Sequence, residues 1–290
     1  MQFDDDFLVE KAGPVYRVTF NRPAKHNCLS VSMQKQLHEA VRAVRFDEEA
    51  RVLIFTGAGN TFCAGDDIVE FPQLANRKLS YDSATALPEP ASQPASNGFL
   101  VTSMFQETAA MIENLYDVVT IAAVDGVCMG GGLEITLCCD FVLATPGSRW
   151  GMPEIDYGLT PGWGGCTRMQ RVVGRRRARE INLLGYEFSG RQAAEWNFVN
   201  RLVEPDQLEN EVEELTGLVL AKSRFAVRRT KYVLRNASDG PISTAAAFEL
   251  PIDAGAGPRE VDGFASFTNK TSGLMDLRKR SSSMWADQRV

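Results

Sequence analysis

The sequence has few of the residues that bind metals. Its 290 residues include only two histidines, His26 and His38, and its six cysteines form no CxxC pair. Zinc sites use closely spaced Cys and His ligands, so this composition argues against a zinc site. A catalytic Cys/His pair is also disfavoured, and we expect the cysteines to be reduced and mostly buried.

Long apolar runs are absent as well. The most apolar stretch, VVTIAAV at residues 118–124, is far shorter than the roughly 20 residues that cross a bilayer. The first ten residues, MQFDDDFLVE, are acidic and lack the basic and then apolar layout of a secretory signal. We therefore expect a cytoplasmic protein that does not contact membranes.

Positive charge is not in excess. The formal net charge is −6, so no overall basic field attracts nucleic acid or an anionic membrane surface. A polyanionic ligand would have to meet a local basic patch. The chain is 44% hydrophobic, which at this length is enough to bury a full core.

The order strand, glycine-rich turn and helix occurs three times in the sequence. Short apolar strands are predicted at residues 52–55, 118–124 and 141–144. The third round ends in the turn PGWGG at residues 161–165, which opens a helix near Cys166. Upstream of the first round, residues 16–20 alternate as a half-buried strand, and Ser30 caps a helix.

Two other stretches bear on domain organisation. Residues 72–98 are rich in Ala, Ser, Pro and Asn and lack periodicity, so we expect a mobile insertion there. After Gly174 helical patterns dominate, including residues 208–221 and 224–234. We predict an α/β core over residues 1–200 and a helical C-terminal region over residues 201–290.

Two glycine-rich segments carry the first sign of chemistry. FCAGDDI at residues 62–68 and GGGLE at residues 130–134 each follow a buried strand and place free backbone N–H groups at a helix start. Glycine lets a carbonyl oxygen approach the backbone closely, and two such donors form an oxyanion hole. Either segment alone is more often a tight connection.

Four segments together resemble the enoyl-CoA hydratase/isomerase (crotonase) family. They are NRPAKHNCLS, FTGAGNTFCAGDDI, AAVDGVCMGGGLEITLCCD and MPEIDYGLTPGWGGCTRMQR. The resemblance implies an α/β spiral of ββα units whose helical C-terminal region serves in trimer contacts or as a lid. It also implies a homotrimer or a dimer of trimers, and an oxyanion hole formed by the backbone N–H groups of Asp66 and Gly131.

The resemblance further implies where an acyl-CoA thioester binds. Coenzyme and substrate contacts are expected at Arg22, Lys25, Ala64, Asp67, Ile68 and Gly130. Arg22 and Lys25 would lie near the phosphates. The alternative for these two is a solvated basic turn.

Family hydratases carry two acidic residues, and Glu134 and Glu154 stand at the matching positions. Hydration of a conjugated thioester needs one group to orient water at C3 and another to protonate C2. We assign the first role to Glu134 and the second to Glu154, as a coupled pair. The alternatives are a first-turn carboxylate favoured by the helix dipole for Glu134 and a surface ion pair for Glu154.

Two aspartates near these motifs, Asp66 and Asp156, differ in the side-chain orientation that we expect. Asp66 replaces the small or apolar residue usual in the family, and we expect its side chain to turn away so that only its N–H serves. Asp156 lies two residues after Glu154, which in an extended segment would put both on one face. It could tune Glu154 or contact a polar acyl group, and a structural hydrogen bond is the alternative.

The resemblance thus predicts a hydratase of 2-enoyl-CoA thioesters that needs no metal and no cofactor, with coenzyme A as part of the substrate. A ring-opening hydrolase or C–C lyase acting on an unusual acyl-CoA is the alternative, as are an enoyl-CoA isomerase and an inactive CoA-binding protein. The dienoyl-CoA isomerases of this family have an Asp where this chain has Gly162. This difference weakens the interpretation of the chain as a dienoyl-CoA isomerase.

Overall fold

The computed structural model describes residues 3–70, 97–238 and 240–249. Its strands, numbered in chain order, are β1 (Phe7–Ala12), β2 (Val15–Phe20), β3 (Val52–Gly57), β4 (Thr61–Cys63), β5 (Val119–Val124), β6 (Val127–Met129), β7 (Phe141–Ala144), β8 (Arg149–Gly151), β9 (Phe188–Ser189) and β10 (Arg201–Leu202). Its α-helices are α1 (Val31–Phe46), α2 (Asn97–Glu113), α3 (Gly131–Thr136), α4 (Gly165–Leu184), α5 (Gly190–Glu195), α6 (Leu208–Leu220), α7 (Arg224–Ala237) and α8 (Ile242–Ala245). Short 3-10 helices lie at Pro23–Lys25, Ile68–Glu70, Pro153–Tyr157, Pro205–Gln207 and Ala246–Glu249.

The strands form two sheets that the chain visits alternately. The first sheet has the order β1-β2-β3-β5-β7-β10 and the second the order β4-β6-β8-β9. Strands β3, β5 and β7 pair in parallel in the first sheet, and their successors β4, β6 and β8 pair in parallel in the second. Each round is two strands followed by helix, which confirms the predicted α/β class and its ββα repeat.

The central strands of the first sheet, β3 and β5, are buried on both faces. Leu53 and Phe55 of β3 face a large apolar cluster that includes α1 and α2, whereas Val52 and Ile54 face a second cluster that includes Val212 of α6. Side chains alternate between the two faces of a strand, so a strand covered on both sides reads as an unbroken apolar run. This is why these strands were visible in the sequence.

Helix α1 forms as its sequence predicts. The Ser30 side chain caps it by accepting a 3.1 Å hydrogen bond from the Met33 N–H. The buried face of the helix includes the predicted positions Met33, Leu37, Val41 and Val44. His38 of this helix is part-buried, and its Nδ1 lies 2.9 Å from Oγ1 of Thr108 on α2.

The C-terminal half is largely helical, as predicted, with α4 interrupted at Gly174, where φ is 76°. The boundary proposed at residue 200 stays a prediction, although β10 beyond it pairs with β7 of the core sheet. Of the predicted insertion at residues 72–98, residues 97 and 98 open α2 and the others lie outside the described residues. In the described ranges no helix is both long and apolar enough to cross a bilayer.

Candidate active site

The two glycine-rich segments meet at one end of the second sheet. They follow β4 and β6, which are parallel neighbours, so both turns leave the sheet at the same edge. A Cβ atom on Gly65 would lie 3.2 Å from the Gly131 amide nitrogen and 3.1 Å from the Met129 carbonyl oxygen. With φ at +92°, Gly65 also has a backbone conformation that favours glycine. The predicted juxtaposition of the two turns is therefore present.

Both proposed oxyanion donors are placed to keep their N–H groups free of backbone partners. The Leu29 N–H donates to the Gly65 carbonyl at 2.8 Å, and the Leu29 carbonyl accepts from the Asp67 N–H at 2.9 Å. The N–H of Asp66, which lies between these two residues, takes part in neither bond. Gly131 is the first residue of α3, and the first N–H of a helix has no intrahelical acceptor. Two adjacent donors of this kind suit an oxygen that gains negative charge.

Glu134 is buried beside these turns. Its side chain is 1% exposed, and its Oε1 accepts hydrogen bonds from the N–H groups of Trp163 at 2.9 Å and Gly165 at 2.6 Å. Burial raises the pKa of Glu134 to about 8, the charge of Glu154 adds to this, and the Gly165 N–H opposes it. The turn that leads into α4 therefore holds the carboxyl group of Glu134. This group is not a solvated charge at the end of a helix.

Glu154 approaches the same turn from the other side. It lies in the 3-10 helix Pro153–Tyr157, and its Oε1 is 2.8 Å from the position of a Cβ atom on Gly130. Burial raises the pKa of its carboxyl group. Within the described residues Oε2 is buried without a hydrogen-bond partner. A buried carboxylate oxygen without a partner costs stability, so its position against the glycine turn favours a role in chemistry over a surface ion pair.

The expectation for the Asp66 side chain is wrong, because it does not turn away. Its Oδ1 lies 3.2 Å from the position of a Cβ atom on Gly131 and accepts a 3.1 Å hydrogen bond from Gln34 Nε2. Gln34 is fully buried, so this bond fixes the carboxyl group at the site. Burial raises the pKa of Asp66 to about 7, and the charge of Glu154 raises it further, against contacts from Trp163 and Gln34.

The extended geometry that would put Asp156 on the same face as Glu154 is not present. The segment is a 3-10 helix and not an extended strand, so residues two apart do not share a face. Asp156 is exposed, and its Oδ2 lies 2.7 Å from the position of a Cβ atom on Gly185. Its side chain therefore points to the end of α4 and away from the Glu154 site.

Comparison with known proteins now decides the family. The family model described as "Enoyl-CoA hydratase/isomerase" matches residues 15–255. The chain belongs to the enoyl-CoA hydratase/isomerase family.

Individual relatives agree with this enoyl-CoA hydratase/isomerase assignment. The short-chain-enoyl-CoA hydratase of Clostridium acetobutylicum is 31% identical over 249 residues, which cover 84% of this chain and 87% of that protein. The crystal structure of an enoyl-CoA hydratase from Bacillus anthracis superposes with a TM-score of 0.79 at 27% identity, covering 91% and 96% of the two chains. A Thermobifida fusca protein solved in complex with CoA gives a TM-score of 0.72 at 26% identity, covering 84% and 90%.

Arg22 does not lie in a solvated basic turn. Its side chain is 9% exposed and lies 3.2 Å from Asp67 Oδ2 and 3.2 Å from Asp6 Oδ2, so it is not solvated. It also donates to the Cys28 carbonyl at 2.8 Å. Lys25 is 60% exposed, with Nζ 3.6 Å from Asp67 Oδ2. Of this pair, Lys25 is the more exposed side chain, and the coenzyme contacts proposed for both residues stay predictions.

The remaining proposed coenzyme contacts follow the same turns. The Ala64 N–H donates to the His26 carbonyl at 3.0 Å, and the Gly130 N–H donates to the Gly151 carbonyl at 3.0 Å. These two amides hold the turns together and are not free donors. Ile68 is 48% exposed, which leaves an apolar side chain beside the oxyanion turn. Their coenzyme contacts stay predictions.

Sequence reasoning missed Trp163. The side chain is 1% exposed and stacks on Phe105 of α2 with ring centroids 4.7 Å apart and planes 5° apart. Its Nε1 lies 3.3 Å from the position of a Cβ atom on Gly131. The motif PGWGG contained the signal, since a large aromatic residue between glycines is unusual, but only its turn was interpreted.

Proposed function

We propose that this protein is an enoyl-CoA hydratase that adds water reversibly across the double bond of a 2-enoyl-CoA thioester. The observation that carries the proposal is a pair of carboxyl groups at the start of α3: Glu154 lies against Gly130, and the buried Glu134 is held by the amides of Trp163 and Gly165. The relative from Clostridium acetobutylicum, which bears the name of a short-chain hydratase, supports it.

The oxyanion hole would activate the substrate. The thioester oxygen accepts hydrogen bonds from the N–H groups of Asp66 and Gly131, so negative charge that develops as C3 is attacked is stabilised. No side chain needs to move for this, because both donors belong to turns fixed by the sheet. The thioester supplies the acidity at C2, and the two amides amplify it.

The two glutamates would then move the protons. Glu134, held by the amides of Trp163 and Gly165, orients water at C3, while Glu154 delivers a proton to C2. The water oxygen bonds to C3, the C2–C3 π bond is lost, and the water proton returns to the pair. Burial raises the pKa of both carboxyl groups, and the charge of Glu154 further raises the pKa of Glu134, so the pair retains a proton for delivery at neutral pH.

The presence of Glu134 favours hydration over a simple double-bond shift. A double-bond shift requires proton transfer at two carbons but no positioned water. A carboxyl group fixed by two backbone amides is the device that a water-adding reaction needs. CoA binding is supported by the CoA complex of the Thermobifida fusca neighbour. The homotrimer or dimer of trimers and the cytoplasmic location stay predictions.

A mass-resolved screen tests the proposal. Purified protein is incubated with short, long, branched, aromatic and cyclic 2-enoyl-CoA thioesters, with Glu154→Gln as the control. The expected product carries the mass of one added water, and it forms with the parent protein but not with the variant. Cleavage of the carbon chain, ring opening, or binding without turnover would contradict the hydratase assignment.

A further inference from the structure

Two polar groups at the site have no role in the hydration steps. They are the carboxyl group of Asp66 and the indole N–H of Trp163. Both lie over Gly131, with Oδ1 at 3.2 Å and Nε1 at 3.3 Å from the position of a Cβ atom there. The backbone N–H of Gly131 is a proposed donor to the thioester oxygen, so these groups border the acyl part of the substrate.

Each of the two groups is held in place from behind. Gln34 donates to Asp66 Oδ1 at 3.1 Å, and Gln34 is fully buried. Trp163 stacks on Phe105 with nearly parallel planes. Such fixed side chains are pre-organised for recognition, because little rotamer entropy remains to be lost on binding.

The indole N–H is an unusual feature of this arrangement. Trp163 is 1% exposed, and within the described residues its Nε1 has no hydrogen-bond partner. The indole lowers the pKa of the Asp66 carboxyl group, so it lies near that group, although the contact does not reach hydrogen-bond geometry. Buried indole N–H groups usually have a partner. A ligand atom that accepts a hydrogen bond would supply one.

We propose that Asp66 and Trp163 form a specificity subsite for a hydroxyl group on the acyl chain, one or two carbons beyond the double bond. This inference rests on the proposed hydratase function. A hydroxyl group accepts a hydrogen bond from the indole N–H and donates one to the carboxylate. It is a small neutral group that matches both at once.

The charges around the subsite exclude the main competing substituents. Asp66, Glu134 and Glu154 form a cluster of buried carboxyl groups in which the charge of Glu154 raises the pKa of the other two, so a further carboxylate on the acyl chain is disfavoured. A purely apolar chain would leave the indole N–H without an acceptor, which is costly in a buried site. A hydroxyl group avoids both costs, and it also accepts from Asp66 when that group is protonated.

Matched substrate pairs test the proposal. The hydration rates of 4-hydroxybut-2-enoyl-CoA and but-2-enoyl-CoA are compared, and so are those of 5-hydroxypent-2-enoyl-CoA and pent-2-enoyl-CoA. We expect kcat/KM to favour the hydroxylated member of at least one pair by about tenfold to 100-fold, the effect of leaving a buried donor unpaired.

Variants assign that preference to the two side chains. Trp163→Phe removes the N–H and keeps a ring to stack on Phe105, and Asp66→Ala removes the carboxyl group and keeps the backbone N–H. Each variant should bring the kcat/KM ratio of the hydroxylated to the unsubstituted substrate close to one. Trp150→Phe is the matched control, because Trp150 is a buried tryptophan whose Nε1 donates to Ser148 Oγ at 2.8 Å; it should keep the parent ratio.

The outcomes separate the subsite from the hydratase assignment. Equal hydration of both members of each pair, or a ratio that survives both Trp163→Phe and Asp66→Ala, overturns the subsite and leaves the hydratase function standing. No hydration of any thioester overturns both. If Trp163→Phe lowers kcat for both members of a pair and leaves the ratio of their kcat/KM values unchanged, Trp163 only positions Glu134. This outcome also overturns the subsite.

Discussion

Oε1 of Glu134 accepts a 2.6 Å hydrogen bond from the backbone N–H of Gly165, the first residue of α4. A Cβ atom at residue 165 would lie 2.1 Å from Met152 Cε and 2.9 Å from the same Oε1, so a larger residue here would displace Met152 and press on the Glu134 carboxyl group. The carboxyl group is therefore positioned by the backbone of a turn and not by a flexible partner. Its role can be tested by changing its charge without changing its shape.

Glu134→Gln should lower the turnover of a 2-enoyl-CoA by about 10² to 10⁴, the range for loss of a general acid or base. The glutamine keeps an oxygen that accepts from the two amides, so the fold should persist. Glu187→Gln, which removes an exposed carboxylate paired with Arg149, is the control. Steady-state kinetics and circular dichroism check both variants; near-normal hydration by Glu134→Gln would remove this residue from the mechanism.

Glu154→Gln should produce a loss of similar size, whereas Asp156→Asn should leave kcat and KM nearly unchanged. The two carboxylates lie in the same 3-10 helix, but Glu154 faces Gly130 and Asp156 faces Gly185. The comparison therefore removes one charge at the site and one outside it. Equal losses from the two substitutions would show that the charge of the helix matters and not the position of Glu154.

Sequence patterns predicted the elements and the two glutamates because both depend on local residue order. The strands and the cap of α1 arise from neighbouring residues, and the spacing of Glu134 and Glu154 is a family property. The orientation of the Asp66 side chain was not predictable. It depends on Gln34 and Trp163, which are distant in sequence and meet Asp66 only in the folded chain.

The 3-10 helix at Asp156 was not predicted, for a related reason. The Glu154 segment follows β8 closely and contains no apolar periodicity, so extension and a tight helix were equally compatible with the pattern. Arg22 shows the same limit. Its basic turn looked solvated, but acidic residues from two other segments, Asp6 and Asp67, bury it.

Gly131→Ala should lower kcat/KM by about 10² to 10³, comparable to loss of one oxyanion donor. The added Cβ would lie 3.2 Å from Asp66 Oδ1 and 3.3 Å from Trp163 Nε1, tighter than ordinary contact, so either the start of α3 or these two side chains must move, and the donor geometry at the thioester oxygen changes. Gly147→Ala is the control because a Cβ there meets nothing within 4 Å. Unchanged kinetics of Gly131→Ala, with the same unfolding temperature as Gly147→Ala, would argue against an oxyanion hole at this turn.

Lys25→Met should raise KM for an acyl-CoA about twofold to fivefold and leave kcat unchanged, the size expected for one exposed ion pair with a phosphate. Lys25 is 60% exposed, and the methionine keeps most of its apolar stem. Lys35→Met removes an exposed lysine from α1 and should not change KM. The effect of Lys25→Met should shrink at high salt; a KM that is insensitive to both the substitution and the salt would place the phosphates elsewhere.

The raised pKa of Glu134 also predicts how stability depends on pH. Its value in the folded protein is about 8, against an ordinary 4.5. Between these values the folded state keeps a proton that the unfolded state has lost. The free energy of unfolding should therefore fall as pH rises from about 4.5 to 8, by at most about 1.4 kcal/mol per pH unit from this group.

Glu134→Gln should flatten this dependence, because the glutamine has no proton to lose. Chemical denaturation at fixed protein concentration, repeated between pH 5 and pH 8, measures the slopes for the parent and the variant. A residual slope is expected, because burial also raises the pKa values of Glu154 and Asp66. Asp156→Asn controls for the loss of an exposed carboxylate. If the parent and Glu134→Gln lose stability in parallel, the pKa of Glu134 is not raised in the folded protein.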